Sequence, residues 1–376
     1  IPLEAHRKAA DYTLDKQRVG LFETIAIDGV VLVALTIGGG IAAIDALSER
    51  LFGAGYLREL ATVFGVLLAS TLASLPFDLY RTFVVEERHG FNRMTPPLFA
   101  ADFVKGMALA AVIGTPLLLA VFWLLERTGA LWWLYTWMAW MGFTLVLVVA
   151  FPRWIAPLFN RFTPLEEGEL RTRIEALLRR CGFRAEGLFV MDGSRRSSHG
   201  NAYFTGFGLN KRIVFFDTLM ERLTPAEIEA VLAHELGHFA RGHIPRLLMV
   251  RFALALLLLA ILGWLYGEPA FYGALHLPAP HIGAALAGFA LIVPVFTFPF
   301  QPLSSLMARR QEFEADAFAA SHASAADLVS ALAKLYRDNA STLTPDPLHS
   351  LVYDSHPPAA LRIDHLRRGG EAPSTF

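Results

Sequence analysis

The stretch "HELGHFARGH", residues 234–243, carries residue types that can do chemistry together. On a helix, positions four apart share a face, so His234 and His238 can offer two imidazoles to one ion. Glu235 sits on the adjacent row, close enough to reach a water on that ion. This is the H-E-x-x-H arrangement of two zinc ligands and a general base. Zinc lowers the pKa of its bound water toward neutrality, and Glu235 would take the proton as the water attacks a peptide carbonyl. The bland alternative is two surface histidines on an ordinary helix. Gly237 inside the motif costs about 1 kcal/mol against alanine in a helix, a cost that close packing at that point would justify.

A catalytic zinc wants a third protein ligand and one open position. His243, five residues after His238, does not match the spacing of the longer histidine motifs. "ARRQEFEADAFAASH" is the better source. Glu312 and Asp316 are four apart and face one way, so Glu312 can complete a His-His-Glu set. Asp316 can hold the far ring nitrogen of a ligand histidine. Glu314 points elsewhere and reads as a solvated carboxylate. In "YDSHPPAALRIDHL", His356 and Arg362 could donate to an oxyanion, or could be a loop end and a helix cap; the residues alone leave both open. "HGNAYFTGFG" reads as a strand, either an edge on which a substrate backbone can add or a plain interior one.

These groups must be positioned by elements. "LTPAEIEAVLAHELGHFARGH" opens on Thr224 as N-cap, Pro225 at the first helical position and Glu227 closing a capping box. The motif therefore lies inside a helix with a well-marked start. "EEGELRTRIEALLRRCG" has helical period, and "GLFVMD" and "KRIVFFD" read as strands, with "NAYFTGF" as a third, possible edge strand. Residues 157–245 thus read as a small α/β unit.

The rest of the chain is apolar. Hydrophobic residues make up 54% of the 376 and charged residues 18%, below the soluble norm of about 25%. Runs near 22–45, 60–79, 103–125, 130–152, 247–267 and 282–306 are long enough to span a bilayer. Asp28 in the first run implies that it faces protein or water. Pro294, Pro299 and Pro302 predict a kinked or broken last helix. Of 33 Lys and Arg, Arg50, Arg58 and Arg127 alone fall on one side of these runs, which places the large polar segments in the cytoplasm. The net charge of −1 gives no bulk basic surface for nucleic acid. The single cysteine, Cys181, rules out an internal disulfide framework, and the polar N-terminal stretch is not a signal peptide.

The chain is then read as mainly α. It is a polytopic membrane helix bundle with a small α/β zincin-like (gluzincin) domain. The expected divisions are N-terminal membrane helices over 1–156, the metalloprotease unit over 157–245, two further membrane helices over 246–308, and the C-terminal part of the catalytic domain over 309–376.

The segments "PFDLYRTFVVEERHGFN", "IAPLFNRFTPLEEGEL", "GSRRSSHGNAYFTGFGLNKRIVFFDTL", "HELGHFARGH", "RRQEFEADAFA" and "SHPPAALRI" together, in this order, resemble the integral-membrane zinc metalloproteases of the CAAX prenyl protease type 1 family. The resemblance implies His234, His238 and Glu312 as ligands of one Zn2+ per chain, with Glu235 as base. It further implies Asp316 behind a ligand, and His356 and Arg362 as stabilisers of the tetrahedral intermediate. Asn201, Ala202 and Tyr203 become the substrate-binding strand. The family's ring of seven membrane helices around a water-filled chamber becomes the expected fold, with its first helix ahead of Ile1. The expected partners are a peptide or protein substrate, isoprenylated or otherwise membrane-associated, and the lipid bilayer, with no nucleic acid and a monomeric chain. The expected location is a bacterial inner membrane, or the ER or inner nuclear membrane of a eukaryote. The alternatives weighed against CAAX processing are a heat-shock type quality-control protease and a non-proteolytic chamber with structural zinc.

Overall fold

The computed structural model describes residues 2–185, 187–205 and 212–369. Most of them are helical, and the apolar runs become long helices with outward-facing hydrophobic side chains. Val112, Trp264 and Phe296 are each 65–71% exposed, as lipid-facing residues would be. Four helical stretches are long and apolar enough to cross a membrane: Tyr56–Glu86, Pro96–Leu158, His243–Leu265 and Ile282–His322. A fifth arises if Leu3–Leu35 and Gly40–Phe52, bent by 55°, count as one span.

This differs from six separate runs for two physical reasons. The expected helix over 22–45 is interrupted where Gly38, Gly39 and Gly40 meet, Gly39 taking a positive φ of 77°. Few other residues adopt that conformation. The runs 103–125 and 130–152 lie within one helical stretch, but its chain turns at Gly129 (φ 54°), so that Pro96–Thr128 and Trp132–Ala150 pack side against side. The helix Trp132–Ala150 is also tied to His243–Leu265, since Trp137 Nε1 donates to the Phe252 carbonyl at 2.8 Å. The membrane part has its own core, in which Ile41, Val66, Phe122, Trp132, Leu262 and Leu275 meet.

The last span is continuous with the catalytic part. Ile282–Thr297 passes through a 3-10 turn, Phe298–Phe300, into the helix Gln301–His322. Pro294, Pro299 and Pro302 produce that tightened turn without ending the helix. The helix that carries Glu312 is therefore an extension of a membrane helix.

The polar segment folds around a four-stranded sheet. The strands are β1 (Phe162–Pro164), β2 (Gly187–Met191), β3 (Ala202–Thr205) and β4 (Arg212–Phe216), in the order β1-β2-β4-β3. β2 and β4 are parallel, with Phe189 opposite Val214. β3 runs antiparallel to β4, with Tyr203 opposite Val214, and forms an edge. The expected strand over 201–207 is seen as far as Thr205; its last two positions lie outside the described residues. β1 was not anticipated from the sequence. Behind the sheet, Ile174 and Leu177 of the helix Glu169–Arg180 pack with Ile213, Phe215, Ile228, Leu232 and Leu236 into one buried core.

Candidate active site

The helix Pro225–Ala240 carries the H-E-x-x-H motif and starts as its sequence dictates. Thr224 accepts from the Glu227 amide, and the Glu227 carboxylate accepts from the Thr224 amide at 2.8 Å. Glu227 also accepts from Lys334 Nζ at 2.7 Å and Ser330 Oγ at 2.6 Å. Burial works against its charge, but these donors prevail and hold the carboxyl down at about 2. On another face of the helix, Glu229 accepts from Arg173 at 3.0 Å and Arg180 at 2.7 Å, which pins the helix to Glu169–Arg180. The orientation of the motif is thus set from two sides.

Gly237 allows the third constraint. A β-carbon there would lie 2.8 Å from Ala315 Cα and 3.1 Å from Phe318 Cβ, so the absence of a side chain is what lets Gln301–His322 lie against the motif helix. That approach brings Glu312 to the histidines. His234 Nε2 and His238 Nε2 are 3.3 Å apart. Glu312 Oε2 is 3.4 Å from His234 Nε2, and Glu312 Oε1 is 3.3 Å from His238 Nε2. Among the described residues these three form a group able to hold a metal ion.

The donor set fits zinc. Ligand atoms about 2.0–2.1 Å from a tetrahedral zinc stand roughly 3.3–3.4 Å from one another, which is the spacing found. Glu312 is 5% exposed, and its Oε2 receives no hydrogen bond of proper geometry among the described residues. Arg362 Nη1 lies 3.2 Å from that oxygen, so the carboxylate has one cation beside it and still has lone pairs free for a second. The electrostatics agree. Glu312 faces both imidazoles and the Arg362 guanidinium, each within 3.4 Å. Burial and Arg362 push the His234 imidazole down, but Asp316 and Glu312 outweigh them and lift it to about 9. The pocket favours positive charge at the point where the three donors converge.

Asp316 is fully buried, and its Oδ1 lies 2.8 Å from His234 Nδ1. Arg362, from the helix Ala359–Arg367, donates to both Asp316 oxygens, Nε at 2.8 Å and Nη2 at 2.6 Å, while its Nη1 is 3.2 Å from Glu312 Oε2. Glu235 is pushed upward by burial, partly countered by the neighbouring imidazoles, which brings its carboxyl toward the range useful to a group that takes and returns protons. His356 is 60% exposed at its side chain, with Nε2 3.5 Å from Glu312 Oε1. Its loop is fixed by Arg309, which donates to the carbonyls of Ser350 and Asp354 at 2.9 Å each, and by Tyr336, which donates to the Pro357 carbonyl.

The geometry gathers His234, His238, Glu312, Glu235, Asp316, His356 and Arg362 around one point. Asn201, Ala202 and Tyr203 stand apart at the sheet edge, where the motif helix reaches β3 through the Phe204–Phe239 ring contact at 5.0 Å. Two further residues lie behind the ligands. His243, set aside as a ligand, lies with Nδ1 2.9 Å from His238 Nδ1; Glu314, read as solvated, lies with Oε2 3.1 Å from His243 Nε2. The five-residue spacing of His238 and His243, with Gly242 between them, was the available signal.

Comparison with known proteins places this arrangement in a family. Residues 1–161 match the family described as "CAAX prenyl protease N-terminal, five membrane helices", and residues 164–369 match peptidase family M48. The chain is 37% identical to the CAAX prenyl protease 1 homolog of Arabidopsis thaliana, over 96% of this chain and 87% of the relative. It is 32% identical to the Homo sapiens homolog, over 97% and 86%, and 37% identical to CAAX prenyl protease 1 of Saccharomyces cerevisiae, over 79% and 69%. The crystal structure of S. mikatae Ste24p superposes with a TM-score of 0.88 at 33% identity, covering 97% of this chain and 89% of that one. Matched along nearly its whole length, the chain belongs to peptidase family M48 and is a membrane-embedded zinc metalloendopeptidase of the CAAX prenyl protease 1 type.

Proposed function

We propose that His234, His238 and Glu312 hold the zinc, that Glu235 is the base, and that the enzyme cuts near the C-terminus of isoprenylated CAAX proteins or similar membrane-anchored peptides. The single observation that supports the site most is that the two imidazole Nε2 atoms lie 3.3 Å apart and each lies 3.3–3.4 Å from one oxygen of the Glu312 carboxylate. When bound, zinc supplies Lewis-acid activation of water and of the scissile carbonyl. Glu235 takes the proton from the attacking water and returns it to the leaving amine. His356, exposed beside the ligands, donates to the developing oxyanion. Arg362 has two of its nitrogens on Asp316 and the third near Glu312. It serves first by fixing Asp316 and hence His234, and contributes to the oxyanion through its charge. Asn201, Ala202 and Tyr203, at the start of an edge strand, receive the substrate backbone as an added strand.

The substrate class rests on the names of the relatives, each a CAAX prenyl protease 1 or a homolog of one, and on the union of the metal site with membrane helices. A helix that leaves the bilayer and carries Glu312 within about three turns suits substrates whose ends are held in lipid. We further propose that the catalytic part faces the cytoplasm and that a single chain is the working unit, enclosing a chamber beneath the metal site. The test is cleavage of a farnesylated CAAX peptide by the purified full chain. Cleavage abolished by chelator and by Glu235→Gln is expected. Cleavage that survives either change removes the proposed site, whereas cutting of unlipidated, misfolded membrane proteins in preference to the farnesylated peptide removes the substrate class.

A further inference from the structure

Both imidazoles that meet Glu312 do so through Nε2. A nitrogen that gives its lone pair to a metal leaves the hydrogen on the other one, so each ligand needs an acceptor at Nδ1. For His234 the acceptor is Asp316. For His238 no carboxylate among the described residues occupies that position. Its Nδ1 instead meets the Nδ1 of a third histidine, His243, at 2.9 Å, and the rings stand at 72° to one another.

That contact dictates a proton pattern. If His238 Nδ1 donates, His243 Nδ1 must accept with its lone pair. The hydrogen of neutral His243 then resides on Nε2. Glu314 Oε2 stands 3.1 Å from that nitrogen, ready to accept. His243 is 3% exposed, whereas the Glu314 side chain is 47% exposed. The chain of donors runs from the metal ligand through a buried ring to a carboxylate at the surface.

Two backbone features build it. Gly242 takes a left-handed φ of 69°, which ends the motif helix and turns His243 back beneath His238 as the first residue of the membrane helix His243–Leu265. Glu314 comes from Gln301–His322, the helix that also supplies Glu312 and Asp316. That helix thus delivers a ligand and the supports of both imidazoles.

We propose that His243 and Glu314 are positioning residues for zinc: they hold the second imidazole ligand in the tautomer and orientation that ligation requires, through the sequence His238 Nδ1–H to His243 Nδ1 and His243 Nε2–H to Glu314. The proposal rests on the assignment of His238 as a ligand.

The test compares His243→Leu with His243→Asn in the full chain in detergent. Asparagine puts an oxygen acceptor near the position of Nδ1; leucine matches its size without one. Zinc affinity is read by competition with a chromophoric chelator, and the visible spectrum of cobalt-loaded protein reports ligand geometry. The leucine variant is expected to bind zinc about 10–100-fold more weakly and to shift the cobalt bands, while the asparagine variant retains affinity within about threefold. A merely structural role for a buried residue predicts that leucine does as well as asparagine, so equal affinities overturn the proposal. Should neither variant fold, Glu314→Ala, at a half-exposed side chain, decides: zinc binding weakened by about threefold or more is expected, and unchanged binding overturns the relay. His238→Ala separates the two levels. Zinc retained there overturns the ligand assignment; zinc lost there but unaffected in the other variants overturns the relay alone.

Discussion

At the level of single residues, the proposed site separates groups that would touch the metal from groups that would aim them. If Glu235 is the base, as proposed, Glu235→Gln removes proton transfer and leaves the ligands in place. Its kcat on a farnesylated peptide should fall by about 10²–10⁴-fold with the zinc content unchanged, as metal analysis beside the cleavage assay would show. Asp316→Asn keeps the shape of a fully buried side chain but withdraws the charge that faces His234 Nδ1 and Arg362. Zinc affinity measured by chelator competition should drop by about 10–100-fold. An Asp316→Asn protein that binds zinc as the wild type does would show that Arg362 alone fixes the histidine. His234, Glu235 and His238 were legible because four-residue spacing on a capped helix is a local property. Glu312 and Asp316 were legible as a second such pair. The support given by His243 and Glu314 was not, since it depends on how the chain turns at Gly242 and on the rotation of a helix 71 residues away in sequence.

At the scale of elements, the contact of two helices decides whether the site exists. Gly237 is where they touch, and the neighbour of its missing β-carbon is backbone, at 2.8 Å from Ala315 Cα. Gly237→Ala gains about 1 kcal/mol of helix propensity but forces the helices apart at a cost of about 1–3 kcal/mol. The expected result is a lower melting temperature together with weaker zinc binding; a variant with tighter binding would contradict the packing described. The start of the motif helix gives a pH dependence. The folded carboxyl of Glu227 is held down at about 2, below the value of about 4.5 of an unpaired one. Its contribution to stability is therefore present above about pH 4.5 and is lost as pH falls from there toward 2, by up to about 3 kcal/mol. Urea unfolding of wild type and Thr224→Ala across that range should show the acid loss in the wild type and a constant deficit of about 1 kcal/mol from the missing cap at neutral pH. The edge position of β3 was foreseen as one of two options from its pattern. The break of the first apolar run at Gly38–Gly40 was not, although the three glycines stood in the sequence, because apolar content alone cannot distinguish a bent helix from a straight one.

At the scale of the molecule, the soluble-looking part and the membrane part are one mechanical body. Ile282–His322 passes from lipid-facing residues such as Phe296 to the buried Glu312, and His243 begins a span directly after the motif helix. The proposed metal site is thus joined to two of the membrane helices. The side of the membrane is testable with Cys181, the chain's single cysteine, partly exposed at the end of Glu169–Arg180. An impermeant thiol reagent should label it in inside-out vesicles and not in intact cells; labelling of intact cells would reverse the orientation drawn from the Lys and Arg distribution.

Holding one zinc with three protein ligands requires two remote helices to meet. Metal content per chain, measured on wild type, His234→Ala, His238→Ala and Glu312→Ala purified alike, tests it most directly. One zinc per wild-type chain is expected, and less than about a tenth of that in each variant under a chelator concentration that leaves the wild type loaded. A Glu312→Ala protein that keeps a full equivalent of zinc would contradict it.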